Sequence, residues 1–184
     1  MELINSATGS IGNARIGGQP FTLIDKSGQI VNESIFQDRF SLLYFGFTHC
    51  PDICPEELDK LTAIVNEMDK HPSTRDLINP VFVSVDPKRD TPEAISEYLK
   101  DFHPKMMGLT GTKEQLLKFA KQYRVYFSVN PLTDETKEDY LVDHSVFFYL
   151  VGPDGKFLDF FGSDMELSKV ISKLNERISQ FIYQ

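Results

Sequence analysis

Both cysteines of the chain lie in one short loop between an apolar segment and a stretch with helical periodicity. Residues 41–47 are almost continuously apolar, which predicts a strand buried on both faces of a sheet. Proline fits the first turn of a helix but not its interior, so we expect a helix that begins at Pro55 with Cys54 as its N-cap. Thiols between a strand end and a helix start lie where open α/β sheets place their ligand sites.

Three residues separate Cys50 from Cys54, a spacing that allows either a disulfide or a shared metal ion. The helix dipole at an N-cap predicts a lowered pKa for the Cys54 thiol, which Asp52 opposes. The alternative is a structural disulfide or a pair of buried thiols, since buried cysteine commonly packs as a small hydrophobe. Nothing else in the chain resembles a disulfide framework, so we interpret the pair as functional.

The remaining sequence alternates between strand and helix patterns. Residues 21–25 and 29–31 flank a turn with Gly28 and predict a β-hairpin. A helix to about Lys70 follows the cysteines. The later predicted elements are a strand at 81–85, a helix capped by Asp90 or Thr91, a strand at 107–110, a helix at 113–123 capped by Thr112 with Leu116, Leu117 and Ala120 inward, an exposed loop at 130–140, strands at 146–151 and 156–161, and a helix at about 166–180.

This order predicts an α/β, thioredoxin-like fold, with a central mixed sheet flanked by helices, an N-terminal β-hairpin and insertions. In thioredoxin-type folds a cis-proline opens the strand that corresponds to 146–151 and touches the cysteine pair. Residues 142–145 contain no proline, and His144 stands in that place. A fold-level alignment therefore puts the His144 imidazole beside Cys50 and Cys54.

Two thiolates and one imidazole form a soft site with three ligands. Thiolates suit Cu(I) and imidazole suits Cu(II), so this ligand set could hold copper in either oxidation state. Zinc competes, because two cysteines and a histidine with one open position are also a zinc arrangement. Asp143 or a water could fill that position. His49 is a second candidate auxiliary ligand, although adjacent side chains in an extended segment point to opposite faces. His71 and His103 precede prolines at predicted helix ends and are interpreted as surface residues or as partners of the helix C-terminal dipole.

The formal net charge of −8 argues against a nucleic-acid partner, because phosphate binding needs clustered lysine and arginine. A length of 184 residues with 41% hydrophobic content suits one domain. No apolar run approaches the roughly 18 residues of a membrane span, and no signal-peptide pattern is present. We expect residues 1–16 to form a flexible lead from which an upstream anchor was removed, and residues 17–184 to form a thioredoxin-like, copper-binding domain.

Several motifs together resemble the Sco (SenC/PrrC) family of copper-binding proteins. They are GFTHCPDICP at 46–55, VDPKRDT at 85–91, GLTGT at 108–112, YRVYF at 123–127 and DHS at 143–145. The resemblance spans about residues 17 to 180 and is closer to the mitochondrial branch. It implies a metallochaperone of cytochrome c oxidase assembly whose copper ligands are Cys50, Cys54 and His144.

The resemblance also implies partners and a place in the cell. Family members supply copper to, or reduce the cysteines of, the binuclear copper site of cytochrome c oxidase subunit II, and a copper-donor chaperone would load them. They are usually tethered by one N-terminal transmembrane helix, with the domain in the mitochondrial intermembrane space or the bacterial periplasm. We expect this chain at the mitochondrial inner membrane, in contact with the membrane only through an anchor that the sequence lacks.

Other classes of function remain open. In a thiol-disulfide reductase, the more exposed Cys50 would attack a partner disulfide and Cys54 would resolve the mixed disulfide, so both would be redox-active. The long spacing and the histidine in place of cis-proline weaken this hypothesis. A peroxidase is weaker still, because an activating Arg and Thr are not evident beside the thiols. A plain interaction module would dock a partner through loop 130–140 and the acidic surface.

Overall fold

The computed structural model describes residues 10–11, 14–129, 142–143 and 146–184. The regular elements, in chain order, are β1 (Ser10–Ile11), β2 (Ala14–Arg15), β3 (Leu23–Asp25), β4 (Ile30–Val31), β5 (Phe40–Gly46), α1 (Ile53–Asp69), β6 (Ile78–Ser84), α2 (Pro92–Tyr98), β7 (Met107–Thr110), α3 (Lys113–Gln122), β8 (Ser128–Val129), β9 (Val142–Asp143), β10 (Phe147–Val151), β11 (Phe157–Gly162) and α4 (Leu167–Ile182). Short 3-10 helices occupy Glu33–Phe36 and Leu99–Asp101.

Seven of these strands form one mixed sheet in the order β11-β10-β5-β6-β7-β3-β4. β5, β6 and β7 run parallel to one another, whereas β10, β11, β3 and β4 pair with their neighbours in antiparallel fashion. The N-terminal β3–β4 hairpin and the β10–β11 hairpin, both predicted from the sequence, form the two edges of the sheet. β1–β2 and β8–β9 form separate two-stranded pairs.

Helices cover both faces of the sheet. On β5, the Tyr44 side chain contacts Cys54 of α1, and the Phe45 ring packs 6.1 Å from the Phe119 ring of α3. Successive side chains of a strand point to opposite faces, so α1 and α3 lie on opposite sides. α4 packs against α1, and α2 joins that face through the Phe82–Tyr98 ring pair. The predicted layers, a mixed sheet flanked by helices, are confirmed.

Two helix starts confirm the predicted caps, and a third does not. Thr91 caps α2, and Thr112 caps α3 through a capping box with Gln115. α1 begins at Ile53 rather than at Pro55, so the prediction that Cys54 is the N-cap is wrong and Cys54 lies inside the first turn. Every amide of the first turn lacks an intrahelical partner, so proline is tolerated at its third position as well as at its first.

Two smaller expectations also differ. Leu117 is exposed, because the buried stripe of α3 runs through Leu116, Phe119 and Ala120. His103 is buried rather than on the surface, and its backbone amide donates to Thr62 of α1. The predicted loop at 130–140 lies outside the described residues. Within the described ranges, no helix combines the length and apolar character of a membrane span.

Candidate metal centre

The functional edge of the molecule is set by the strand register. Gly46, the last residue of β5, pairs with Ser84, the last residue of the parallel β6, so the loops that follow both strands leave the sheet side by side. β10 runs the other way, with Phe148 opposite Tyr44, so the chain enters β10 at this same edge. The loop that carries the cysteines therefore meets residues 85–91 and the entry to β10.

Cys54 occupies a dry pocket against the sheet. Its side chain is 0% exposed, and the hydroxyl of Tyr44, itself fully buried, donates a hydrogen bond of 3.4 Å to Cys54 Sγ. Gly46 makes this pocket possible, because a Cβ at that position would lie 2.9 Å from Cys54 Sγ and 2.8 Å from Tyr44 Cε1. The Phe148 ring supports Tyr44 at a centroid distance of 5.8 Å.

The pKa of the Cys54 thiol is raised, not lowered. A hydrogen bond with the Cys50 thiol is the largest cause and burial is the next, while the Tyr44 hydroxyl and the Phe47 amide act in the opposite direction. The predicted easy ionisation is therefore wrong for the metal-free dithiol, since little water reaches the sulfur to solvate a thiolate. Loss of this proton must accompany the arrival of a cation that binds sulfur.

Cys50 lies on the loop side of the pair. It is 8% exposed, so it is the more accessible of the two cysteines, as the sequence predicts. Its amide donates to the carbonyl of Phe47 at 3.1 Å, which closes a tight turn at the end of β5. Both residues are thiols with no disulfide between them. The structure therefore brings two thiols into contact, one from a fully buried residue and the other from a slightly exposed one.

Of the other predicted ligands, the structure describes the side chain of His49 but not those of Asp143 and His144. The His49 side chain is exposed, and its Nδ1 lies 3.1 Å from Thr48 Oγ1. The backbone of Asp143 pairs with Ser128 in the β8–β9 ladder, but its side chain is not described, and His144 lies outside the described residues. Among the residues that the structure describes, no three His, Cys, Asp or Glu side chains are grouped to hold a metal ion. The third ligand stays a prediction.

Sequence reasoning missed a carboxylate beside the loop. Asp90 is fully buried and accepts hydrogen bonds from Thr48 Oγ1 at 2.6 Å and from Ser84 Oγ at 2.7 Å. Burial raises the pKa of Asp90, and the hydrogen bonds from Thr48 and Ser84 oppose that shift. The sequence offers Asp90 only as a helix cap; the contact with Thr48 follows from the parallel pairing of β5 with β6.

A second buried carboxyl lies one turn beyond Cys54. Glu57 is only 5% exposed, and burial is the main cause that raises its pKa. Glu57 Oε2 and the Tyr98 hydroxyl are the buried side-chain oxygens without a hydrogen-bond partner in the described part of the chain. The spacing of three residues from Cys54 along a helix could have signalled that Glu57 shares its inward face.

Comparison with known proteins decides the family. Residues 9–179 match the model of the SCO1/SenC family. The chain belongs to the SCO1/SenC family. It is 46% identical over 176 residues to the mitochondrial protein SCO2 of Saccharomyces cerevisiae, covering 96% of this chain and 57% of the relative. It is also 46% identical over 164 residues to the mitochondrial SCO1 homolog of Homo sapiens, covering 89% of this chain and 53% of the relative. The chain thus spans about half the length of these Sco relatives.

Solved Sco structures confirm the thioredoxin-like fold. Copper-bound ScoI of Arabidopsis thaliana is 43% identical, with a TM-score of 0.81, and the match covers 90% of this chain and 99% of that one. Copper-bound Sco1 of yeast is 42% identical, with a TM-score of 0.81, and the match covers 90% of each chain. Sco proteins of this fold have therefore been crystallised with copper.

Proposed function

We propose that this chain is a copper metallochaperone that binds copper through Cys50, Cys54 and His144. The observation that carries the proposal is the contact between two thiols at the carboxyl edge of β5 and β6, in a fold shared with Sco proteins crystallised with copper. Thiolate sulfur is the ligand type that Cu(I) prefers, and an added imidazole also accommodates Cu(II). Residues 17–184 are the proposed copper-binding domain.

The strand order supports His144 as the third ligand. β10 begins at Phe147, beside the end of β5, and His144 stands three positions earlier in the sequence. Three residues of extended chain span at most about 10 Å, and this short separation in sequence supports the proposal that His144 is the third ligand. Asp143 and His49 are proposed only as auxiliary ligands, because each adjoins one of the three main ones in sequence.

The unequal burial of the two sulfurs suits transfer rather than storage. Copper binding requires both thiols to lose their protons. The positive charge of the metal then stabilises the Cys54 thiolate, which water cannot solvate in its buried position. The sulfur of Cys50 lies closer to solvent, so a partner ligand would replace it first. A site with three protein ligands leaves room for that incoming ligand.

The proposed recipient is the binuclear copper site of cytochrome c oxidase subunit II, loaded during assembly of the oxidase. A copper-donor chaperone would supply the ion. Sco relatives are named as mitochondrial proteins, which supports a location at the inner membrane with the domain in the intermembrane space. A negative net charge of −8 suits docking with basic protein surfaces.

Copper titration of single variants tests the proposal. We expect Cys50→Ala and Cys54→Ala to abolish tight Cu(I) binding and His144→Ala to weaken it by about 10- to 100-fold. His71→Ala is the matched control, because His71 is exposed and follows the far end of α1 from the cysteines. Unchanged affinity in all three ligand variants would defeat the proposal.

A second candidate function is reduction of disulfides in the same partner. It is favoured by the greater exposure of Cys50, which could attack a partner disulfide and form a mixed disulfide. The Cys54 thiol would then lose its proton and attack the Cys50 sulfur, which releases the partner as a dithiol and leaves an internal disulfide. Full reductase activity of His144→Ala on an oxidised copper-site peptide, together with weakened copper binding, would show that one cysteine pair serves both functions. Absence of activity in the wild-type chain would remove the second.

A further inference from the structure

Asp90 connects the two loops at the dithiol edge. Its carboxylate accepts hydrogen bonds from Thr48 twice, through the hydroxyl at 2.6 Å and through the amide at 3.2 and 3.3 Å from its two oxygens. Thr48 stands two positions before Cys50. A buried side chain from one loop thus holds the backbone and the side chain of the other loop immediately before the first cysteine.

We propose that Asp90 is a positioning residue that fixes Cys50 relative to Cys54 by holding Thr48. Cys54 has its own support, because it lies within α1 and receives the Tyr44 hydrogen bond. Cys50 lies outside any helix or strand, so its place depends on how its loop is held.

Further contacts hold Asp90 itself in place. Ser84, at the end of β6, donates to the second oxygen of Asp90 at 2.7 Å, and the Asp90 amide donates to the carbonyl of Asp86 at 2.9 Å. The Arg89 guanidinium lies 5.7 Å from the centre of the Phe47 ring and pairs with Asp86 at 2.5 Å. Asp90 and Arg89 therefore contact Thr48 and Phe47, the residues that lead into the dithiol loop.

The distance between two ligand sulfurs decides how well one ion can join them. Residues that hold metal ligands in place typically affect metal affinity by about 10- to 100-fold when they are removed. This inference rests on the proposed function, because it assumes that Cys50 and Cys54 bind one copper ion together. A looser Cys50 would also lower the effective concentration of one thiol for the other, which weakens their disulfide.

Three variants and one control test this role. Asp90→Ala should lower Cu(I) affinity by about 10- to 100-fold, and Thr48→Val by about three- to tenfold, because the Thr48 amide still reaches the carboxylate. Asp90→Asn keeps an acceptor for Thr48 and should restore affinity to within about threefold of wild type. Thr110→Val is the matched control, since it removes a buried hydroxyl that donates to the Asp90 carbonyl at 3.0 Å, not to its carboxylate. We expect it to bind copper within about twofold of wild type.

The second readout does not involve copper. In glutathione buffers, the Cys50–Cys54 disulfide and two glutathione thiols exchange two electrons and two protons to give the dithiol and glutathione disulfide. The equilibrium constant for forming the internal disulfide should fall by about tenfold in Asp90→Ala and less in Thr48→Val. Thr110→Val should leave it unchanged, and thermal unfolding of each variant reports its stability.

The outcomes separate this inference from the proposed function. If Thr48→Val matches wild type in both readouts, or if Thr110→Val shifts them as much, the positioning role is wrong and the effects are general losses of stability. If Asp90→Ala does not fold, the copper affinity and disulfide equilibrium of Thr48→Val and Asp90→Asn still test the positioning role. A wild-type chain that binds no copper would overturn the proposed function, whereas the disulfide equilibrium would still test Asp90.

Discussion

Cys54 and Cys50 touch each other but are held by different kinds of structure. The Cys54 pocket is formed by the sheet and α1, and the buried Tyr44 hydroxyl donates a hydrogen bond to the sulfur within it. The Cys50 loop is held by polar contacts with the 85–91 segment, chiefly the hydrogen bonds between Thr48 and Asp90. The Cys54 pocket therefore affects the pKa of the Cys54 thiol, whereas the contacts of the loop determine the position of Cys50.

In the proposed metal-transfer site, this difference gives the two cysteines separate roles. A deeply buried thiol with a raised pKa gives up its proton only to a strongly bound cation, which limits ionisation in the absence of metal. A loop thiol held by a few hydrogen bonds can shift when a partner approaches. We therefore expect substitutions in the Cys54 pocket to change both the pKa of Cys54 and the copper affinity. Substitutions at Asp90 or Thr48 should instead change the position of Cys50 relative to Cys54.

Filling the Cys54 pocket should have the largest effect. Gly46→Ala places a methyl group within 2.9 Å of Cys54 Sγ and 2.8 Å of Tyr44 Cε1, so the pocket must shift. We expect a loss of about 1–3 kcal/mol in the free energy of unfolding and weaker copper binding. Urea denaturation measures the first effect. Gly28→Asn in the β3–β4 turn is the control, because a Cβ there meets nothing and asparagine tolerates positive φ. A wild-type stability in Gly46→Ala would show that the pocket is not close-packed.

Removal of the Tyr44 hydroxyl should come next. The hydrogen bond from Tyr44 lowers the pKa of the Cys54 thiol, so Tyr44→Phe should raise that pKa further and reduce Cu(I) affinity near neutral pH by about tenfold. Tyr123→Phe is the matched control, because the buried Tyr123 hydroxyl donates to the Gly155 carbonyl instead. If both variants lose the same copper affinity, the tyrosine contact has no specific role at the sulfur.

The raised pKa of Cys54 also predicts a pH dependence of stability. The folded chain binds this proton more tightly than the unfolded chain, so the contribution is complete below the unfolded cysteine pKa of about 8.5 and is lost as the pH rises above it. For metal-free, reduced protein, the free energy of unfolding should fall by up to about 1.4 kcal/mol per pH unit between pH 8.5 and 9.5. Urea midpoints in Cys54→Ala should vary less over that range. An equal slope in the variant would contradict the assignment.

The smallest effect is expected at His49. Its side chain is exposed and its Nδ1 faces Thr48, so His49→Ala should change Cu(I) affinity by no more than about threefold. Competition with a Cu(I) chelator at neutral pH measures the difference. A loss of affinity as large as that in His144→Ala would make His49 a main ligand, and the loop would then bind the metal through His49 as well as Cys50.

Local sequence patterns predicted the parts of this site that depend on neighbouring residues. The apolar run at 41–47 and the helical periodicity after Pro55 predicted a strand, then the thiols, then a helix. The structure confirms the strand and the helix, with Cys50 between them and Cys54 in the first turn of α1. Proline could not identify the first residue of α1, because it is compatible with several positions in a first turn.

Contacts between distant residues could not be predicted in this way. The pKa of Cys54 is raised first by the hydrogen bond with the Cys50 thiol and then by burial against the sheet, and neither effect follows from the helical position of Cys54. The contact between Asp90 and Thr48 depends on the pairing of Gly46 with Ser84, and no local pattern encodes a strand register. His144 was assigned by alignment and family resemblance and stays a prediction.

X-ray absorption at the copper edge tests the central claim most directly, using the Cu(I)-loaded chain and its His144→Ala variant. The account predicts two sulfur donors and one nitrogen donor in the wild-type chain, with the nitrogen lost in the variant and both sulfurs retained. A spectrum that is unchanged in His144→Ala, or a wild-type site without two sulfur donors, would contradict it.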